Sequence, residues 1–136
     1  MDAGHEFLEH TSETVVRVRA PSLAALLEEA GRALAGLELR GRPARVAGPW
    51  REVTLRSSDR AALLVDWLNE LLFIAERERW VPAEFEVQEA DAHHVRARVR
   101  GVRLAEPPVF VKAATMGGLS LAESGGMLVA EVTLDV

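Results

Sequence analysis

The chain has 136 residues, 49% of them hydrophobic, which is the size and composition of one domain with its own core. It contains no cysteine, so disulfides and thiolate metal ligands are excluded, and a metal would need oxygen or histidine nitrogen ligands. A net charge of -5 argues against a diffuse attraction to naked nucleic acid or to an anionic membrane. The first residues are polar and acidic, unlike a signal peptide, so we expect a single domain over residues 1–136 in the cytoplasm.

The first half of the chain predicts two strands, each followed by a helix. An apolar pair within residues 5–10 marks an expected entry into the core, and the alternation in residues 14–19 predicts a strand. Pro21 and Ser22 are predicted to cap the next element, in which apolar residues at helical spacing predict a helix of about fourteen residues. Residues 50–56 alternate again and predict the second strand.

Residues 59–79 predict a long amphipathic helix along which the rest of the chain packs. Ser57 and Ser58 are the predicted N-caps, and Pro82 is predicted to stop the helix. Polar and charged residues interrupt the apolar run near its middle, which excludes a membrane span. Apolar side chains recur every three or four residues, namely Leu64, Trp67, Leu68, Leu71, Leu72 and Ala75.

The second half of the chain predicts strands. Residues 84–88 and 95–100 form a predicted hairpin with a row of acidic residues facing a row of arginines. The arginines could bind RNA, but we favour cross-strand ion pairs because the acidic row supplies partners. Residues 119–122 and 127–136 predict a final strand pair. The element order predicts an α+β fold of two layers, with two helices packed on one face of a mixed or mostly antiparallel sheet.

Three stretches could carry chemistry: residues 10–13, residues 111–118 and residues 134–136. In the second stretch, Lys112 is the only lysine among 16 basic residues, so it is either a chance survivor or a position that needs a compact ammonium. In the third, the carboxylate of Asp135 lies next to the main-chain carboxylate of Val136, and the two repel unless a cation joins them. Glu13, if the sheet brings it alongside, would complete an all-oxygen site suited to calcium or magnesium, although chain ends usually carry no site.

The sequence contains no general catalytic signature. It has no glycine-rich phosphate loop before a helix, no paired histidines at metalloprotease spacing and no nucleophile elbow. His93 and His94 would face opposite sides of a strand, so we interpret them as surface residues rather than metal ligands.

Four motifs occur in an order that is typical of one family. Residues 6–13 are similar to a Glu-Phe-Leu-Glu-His-Thr-Ala-Asp opening, and residues 67–72 read Trp-Leu-Asn-Glu-Leu-Leu without change. Residues 111–117 are similar to a Val-Lys-Ala-Val-Thr-Tyr-His segment, and the chain closes on Leu-Asp-Val at residues 134–136. In these four motifs the chain resembles the archease family, the small protein cofactor of RtcB-type RNA ligases.

The resemblance implies a non-enzymatic partner of an RtcB-type RNA ligase. Such a protein helps the ligase reach its guanylylated state and turn over repeatedly in GTP- and manganese-dependent joining of RNA ends, in tRNA splicing and RNA repair. It implies that Glu13, Asp135 and Val136 hold a divalent cation, calcium in archaeal members, and that Lys112 takes part in ligase activation. The protein would contact RNA only indirectly, through the ligase, and no contact with a membrane is expected.

Three departures from the family pattern bear on the predicted site. Glu13 stands where the family has Asp. The longer side chain keeps an oxygen ligand but changes the size of the predicted cation site. Met116 and Gly117 replace the usual aromatic residue and histidine. Two other classes of function stay open: a small divalent-metal-dependent enzyme acting on a phosphorylated substrate, and a general chaperone, which would require a sizeable exposed apolar patch.

Overall fold

The computed structural model describes residues 2–9, 13–40, 45–108 and 111–136. Two helices and seven strands make up this part of the chain. In chain order they are β1 (Gly4–Glu9), β2 (Glu13–Ala20), α1 (Leu23–Leu39), β3 (Ala47–Arg56), α2 (Arg60–Glu78), β4 (Trp80–Asp91), β5 (His94–Arg103), β6 (Ala113–Ser124) and β7 (Met127–Asp135).

The strands of the described chain form two antiparallel sheets. One has the order β1-β2-β7-β6 and the other β3-β5-β4. The predicted α+β class is confirmed, and the structure adds that the strands divide between two sheets. β1 lies where the sequence predicted only an entry into the core, and it pairs with β2 along its whole length.

Helix α1 is longer than predicted and covers 17 residues. The predicted cap is confirmed, because the Ser22 hydroxyl accepts a hydrogen bond from the Ala25 N–H at 3.2 Å. The helix ends at Leu39, and Arg40 follows in the left-handed conformation with φ 53°. The extra turn carries Glu38, a buried residue discussed below.

Helix α2 begins and ends at residues other than those predicted. Asp59 is the N-cap, since its Oδ1 accepts from the Ala62 N–H at 2.8 Å, so the prediction of Ser57 or Ser58 is wrong. Ser57 instead donates to Asp66 at 2.5 Å. The helix ends at Glu78, before it reaches Pro82, which lies inside β4. Neither helix in the described chain is long and apolar enough to cross a membrane.

Both helices contact strands of both sheets, so one core joins the sheets. Trp67 is fully buried, and its indole N–H donates to the Leu27 carbonyl at 2.9 Å, which ties α2 to α1. Its ring meets Phe85 of β4 edge-on, with 6.1 Å between centroids. A Cβ on Gly31 would lie 2.7 Å from Phe85 Cζ, so the close approach of α1 to β4 requires a glycine.

The row of arginines on β5 is paired with acidic residues on β4. The ion pairs measure 3.1 Å for Arg96 with Glu89. They measure 2.9 Å and 2.6 Å for the next two rungs, Arg98 with Glu86 and Arg100 with Glu84. The prediction of cross-strand pairing is therefore confirmed, and each arginine of the row has an acidic partner.

Candidate functional site at the end of the four-stranded sheet

Glu13 and Asp135 lie directly opposite each other on neighbouring strands. Glu13 is the first residue of β2 and Asp135 the last of β7, and their Cα atoms are register partners. The next pair inward, Thr14 and Leu134, is buried, so both carboxylates project from the opposite, exposed face. Side chains of such a pair have Cβ atoms about 4.5–5.5 Å apart. The structure therefore brings together the two acidic side chains that the sequence predicted.

Lys112 joins the same end of the sheet through its backbone. Its N–H donates to the carbonyl of Asp135 at 2.8 Å, and Ala113, the first residue of β6, pairs with Asp135. Val136 follows directly, is half-buried and packs against the core. The backbones of all four residues predicted for the site thus lie at the same end of the sheet, where β2, β6 and β7 come together.

Lys112 and the two carboxylates use different sides of the sheet end. Ala113 and Asp135 are register partners, so Lys112 comes one residue earlier and alternates to the side of the helices. There it lines a cavity of about 410 Å³ together with Glu38 and Glu76. The sequence did not predict this division, because it depends on the register of β6 on β7.

Asn69 positions the segment that carries Lys112. Its side-chain amide donates to the Ala114 carbonyl at 3.0 Å, and its Oδ1 accepts from the Ala114 N–H at 2.8 Å. β6 is an edge strand, so these groups point away from β7 and would otherwise lack a strand partner. The periodicity of residues 67–72 predicts core positions and no role at the site, and the polar Asn69 among them is the one signal in the sequence that points to this contact.

Two of the residues at which the chain departs from the family pattern, Met116 and Gly117, lie just beyond the hydrogen bonds between Asn69 and Ala114. The pairing of β6 with β7 shifts register between Thr115 and Ser120, and Gly118 in this bulge has φ +73°. Met116 is 53% exposed there, next to Gly117. The segment that differs from the family is therefore a surface bulge close to Lys112.

The donor set at the sheet end fits a hard cation only in part. Among the described residues, no group of three or more His, Asp or Glu side chains could hold a metal ion. Glu13 and Asp135 supply carboxylate oxygens, the ligands that calcium and magnesium prefer. Two carboxylates do not complete a calcium or magnesium site, and the carboxylate of Val136 is the predicted third ligand. His10, Thr11 and Ser12, which belong to the first motif, lie outside the described residues.

The fold and the site define a small α+β protein with an acidic pair and a lysine at one end of a four-stranded sheet. The chain belongs to the archease family, since residues 5–136 match the model of the Archease protein family (MTH1598/TM1083). Protein archease of Methanosarcina mazei is 30% identical over 141 residues, which cover 97% of this chain and 95% of that protein. Protein archease of Methanothermobacter thermautotrophicus is 31% identical over 140 residues, covering 98% and 99%.

Two solved structures share the fold. The solution structure of Methanobacterium thermoautotrophicum protein 1598 has a TM-score of 0.80 and 28% identity, and covers 98% of this chain and 99% of that one. The crystal structure of an archease from Thermotoga maritima, described as a "possible chaperone", has a TM-score of 0.67 and covers 95% and 94%. At 20% identity, the second likeness is one of fold alone.

Proposed function

We propose that this chain is an accessory activator of an RtcB-type RNA ligase and not itself an enzyme. It promotes guanylylation and multiple turnover of the ligase in tRNA splicing or RNA repair, in the cytoplasm, and meets RNA only through the ligase. The observation that supports this proposal is the pairing of Glu13 with Asp135, with Lys112 bonded to the same end of β7, in a member of the archease family.

The residues of the sheet end have distinct roles in this proposal. Glu13, Asp135 and the main-chain carboxylate of Val136 hold a divalent cation, for which calcium suits the all-oxygen ligands. The ion, when bound, supplies the positive charge that lets these carboxylates lie together. Lys112 presents a compact ammonium that donates to an acceptor on the ligase. Glu13, Asp135, Val136 and Lys112 together form what we call the acidic tip. The acidic tip can change the ligase only by binding one conformation of the ligase more tightly than the other.

The test is guanylylation of the cognate ligase with GTP and manganese at limiting ligase. We expect wild-type protein to raise both the guanylylated fraction and the number of turnovers. Asp135→Asn should lose the effect because it removes a charged ligand, and Lys112→Ala because it removes the ammonium. Lys112→Arg should restore little, since a guanidinium is planar and larger. Glu123→Gln is the matched control: Glu123 is an exposed carboxylate at the far end of β6.

Two results would contradict the proposal at different levels. Full activation of the ligase by Asp135→Asn and Lys112→Ala would show that the acidic tip is not needed for activation, although the protein is. No activation by the wild type would show that the protein is not an activator of this ligase. Turnover of a phosphorylated substrate without the ligase, lost in Asp135→Asn, would instead establish the metal-dependent enzyme.

A further inference from the structure

A cavity of about 410 Å³ lies at the C-terminal ends of both helices, beside Lys112. Ligand pockets in proteins measure roughly 300–1,000 Å³, so it can hold a side chain or a small ligand. Its walls are lined by Glu38 of α1, Leu72 and Glu76 of α2, and the segment before β6, through Pro108, Val111 and Lys112.

Glu38 is the unusual residue of this cavity. It is 3% exposed, and within the described chain its buried Oε2 has no hydrogen-bond partner. Buried carboxylates are normally hydrogen-bonded, because an unpaired one costs desolvation free energy with no compensation. A hydrogen-bond donor that enters the cavity would supply the missing hydrogen bond to Oε2 and offset this desolvation cost.

The surroundings of Glu38 favour a cation. Glu76 is a second carboxylate at the exposed side of the cavity; burial raises the pKa of Glu38, and repulsion from Glu76 adds to this rise. Both helices end within two residues of these glutamates, so the negative ends of their dipoles face the same region. Lys112 lies on the rim, and within the described chain it forms no ion pair with either glutamate.

The residues that line the cavity indicate which kind of cation it can bind. Leu72, Val111 and Pro108 are apolar and fit an alkyl stem, whereas calcium needs six to eight oxygen ligands and the described lining offers two carboxylates. A guanidinium is weakly hydrated, and its fork of N–H donors can meet both carboxylates at once. We propose that this cavity receives an arginine side chain of the partner protein, which donates to Glu38 and Glu76.

The inference rests on the proposed function only for the identity of the partner, the ligase. A partner arginine in the cavity would sit next to Lys112 and hold it at the ligase surface. The cavity would thus act as a docking socket beside the acidic tip, and its contribution would be to affinity for the ligase.

The socket can be tested on the isolated protein with Nα-acetyl-arginine amide as the probe. Amide shifts of residues lining the cavity, followed by NMR during titration, should saturate with this probe. They should not change with the matched citrulline amide, which has the same length but no charge. At pH 8, where Glu38 is ionised, Glu38→Gln should weaken binding by at least about tenfold, because it replaces a charged acceptor by a neutral one.

Glu76→Gln is a second variant at an exposed position, and Glu123→Gln is the control that removes one charge elsewhere. Thermal unfolding establishes that each variant folds. Three results would overturn the socket: no saturable shift with the arginine amide, equal binding of the citrulline amide, or unchanged affinity in both Glu38→Gln and Glu76→Gln.

Direct binding of wild type and Glu38→Gln to the ligase, without GTP, tests the choice of partner. We expect weaker binding by the variant. If the ligase binds both equally, the socket is not its docking site and the inference is wrong. If the ligase does not bind the wild type, the proposed function fails, and the arginine titration still decides whether the cavity binds a guanidinium.

Discussion

Glu38 makes the stability of the protein depend on pH near neutrality. Burial raises its pKa from 4.5 to about 7, and repulsion from Glu76 adds to this. A carboxyl group with a raised folded-state pKa favours the folded state when protonated, so its stability contribution is complete below about pH 4.5. The contribution is lost as the pH rises through about 7, where the group ionises inside the protein.

We therefore predict that Glu38→Gln removes a pH-dependent loss of stability. The wild type should lose up to about 3 kcal/mol of unfolding free energy between pH 4.5 and 8 from this group, since one pKa unit corresponds to about 1.4 kcal/mol. The variant should show a flatter profile and be more stable above pH 7. Denaturant unfolding at a series of pH values measures this difference.

Glu78 provides the contrast that isolates this effect. Arg51 and Arg77 donate to its carboxylate and lower its pKa to about 2, so it is ionised throughout the same pH range. Its stabilising contribution is present above about pH 4.5 and is lost only as the pH falls through about 2. Parallel profiles for wild type and Glu38→Gln would show that Glu38 does not carry a buried charge at neutral pH.

The edge strand β6 depends on a side chain of helix α2. Asn69 satisfies the N–H and the carbonyl of Ala114, two residues after Lys112, in place of a neighbouring strand. We predict that Asn69→Ala lowers the unfolding free energy by about 1–3 kcal/mol, because both backbone groups lose their partner in a partly buried place. Denaturant unfolding measures the loss.

Hydrogen exchange of the Ala114 amide separates this local effect from a general one. Exchange at Ala114 should accelerate in Asn69→Ala by more than global destabilisation explains, while the amide of Lys112, bonded to Asp135, should be less affected. Unchanged protection of the Ala114 amide from hydrogen exchange would mean that the hydrogen bonds from Asn69 do not hold β6 in place in solution.

The elements that the sequence predicted well are those with strong local signals. Periodicity established both helices, and alternation established the hairpin of β4 and β5. The N-cap of α2 was misplaced by one or two residues because Ser57, Ser58 and Asp59 are all good caps. β1 was missed because Gly4–Glu9 has little alternation. The strand is held by pairing with β2 and by the 2.5 Å contact of His5 with Glu29 of α1.

At the scale of the whole molecule, the candidate site was only half predictable. Asp135 was recognisable beside Val136, and Glu13 was a candidate partner only on the condition that the sheet brought it alongside, which the family pattern also implied. That they are register partners is a property of the folded sheet. The cavity around Glu38 could not be predicted from the sequence, because a glutamate near the end of an amphipathic helix is normally exposed. Here the C-terminal ends of two helices and the segment before β6 converge to bury it.

The proposed cation would join the first residue of β2 to the last residue of β7, and so fasten the chain end to the centre of its sheet. A ligand that binds only the folded state raises stability by about 2.7 kcal/mol at a concentration 100 times its Kd. We predict that calcium raises the Tm of the wild type by several degrees and that a chelator reverses the rise. Asp135→Asn should not respond, whereas Glu123→Gln should respond like the wild type. If calcium raises the Tm of Asp135→Asn equally, the ion binds elsewhere, and the acidic pair would need another explanation for its place beside Lys112.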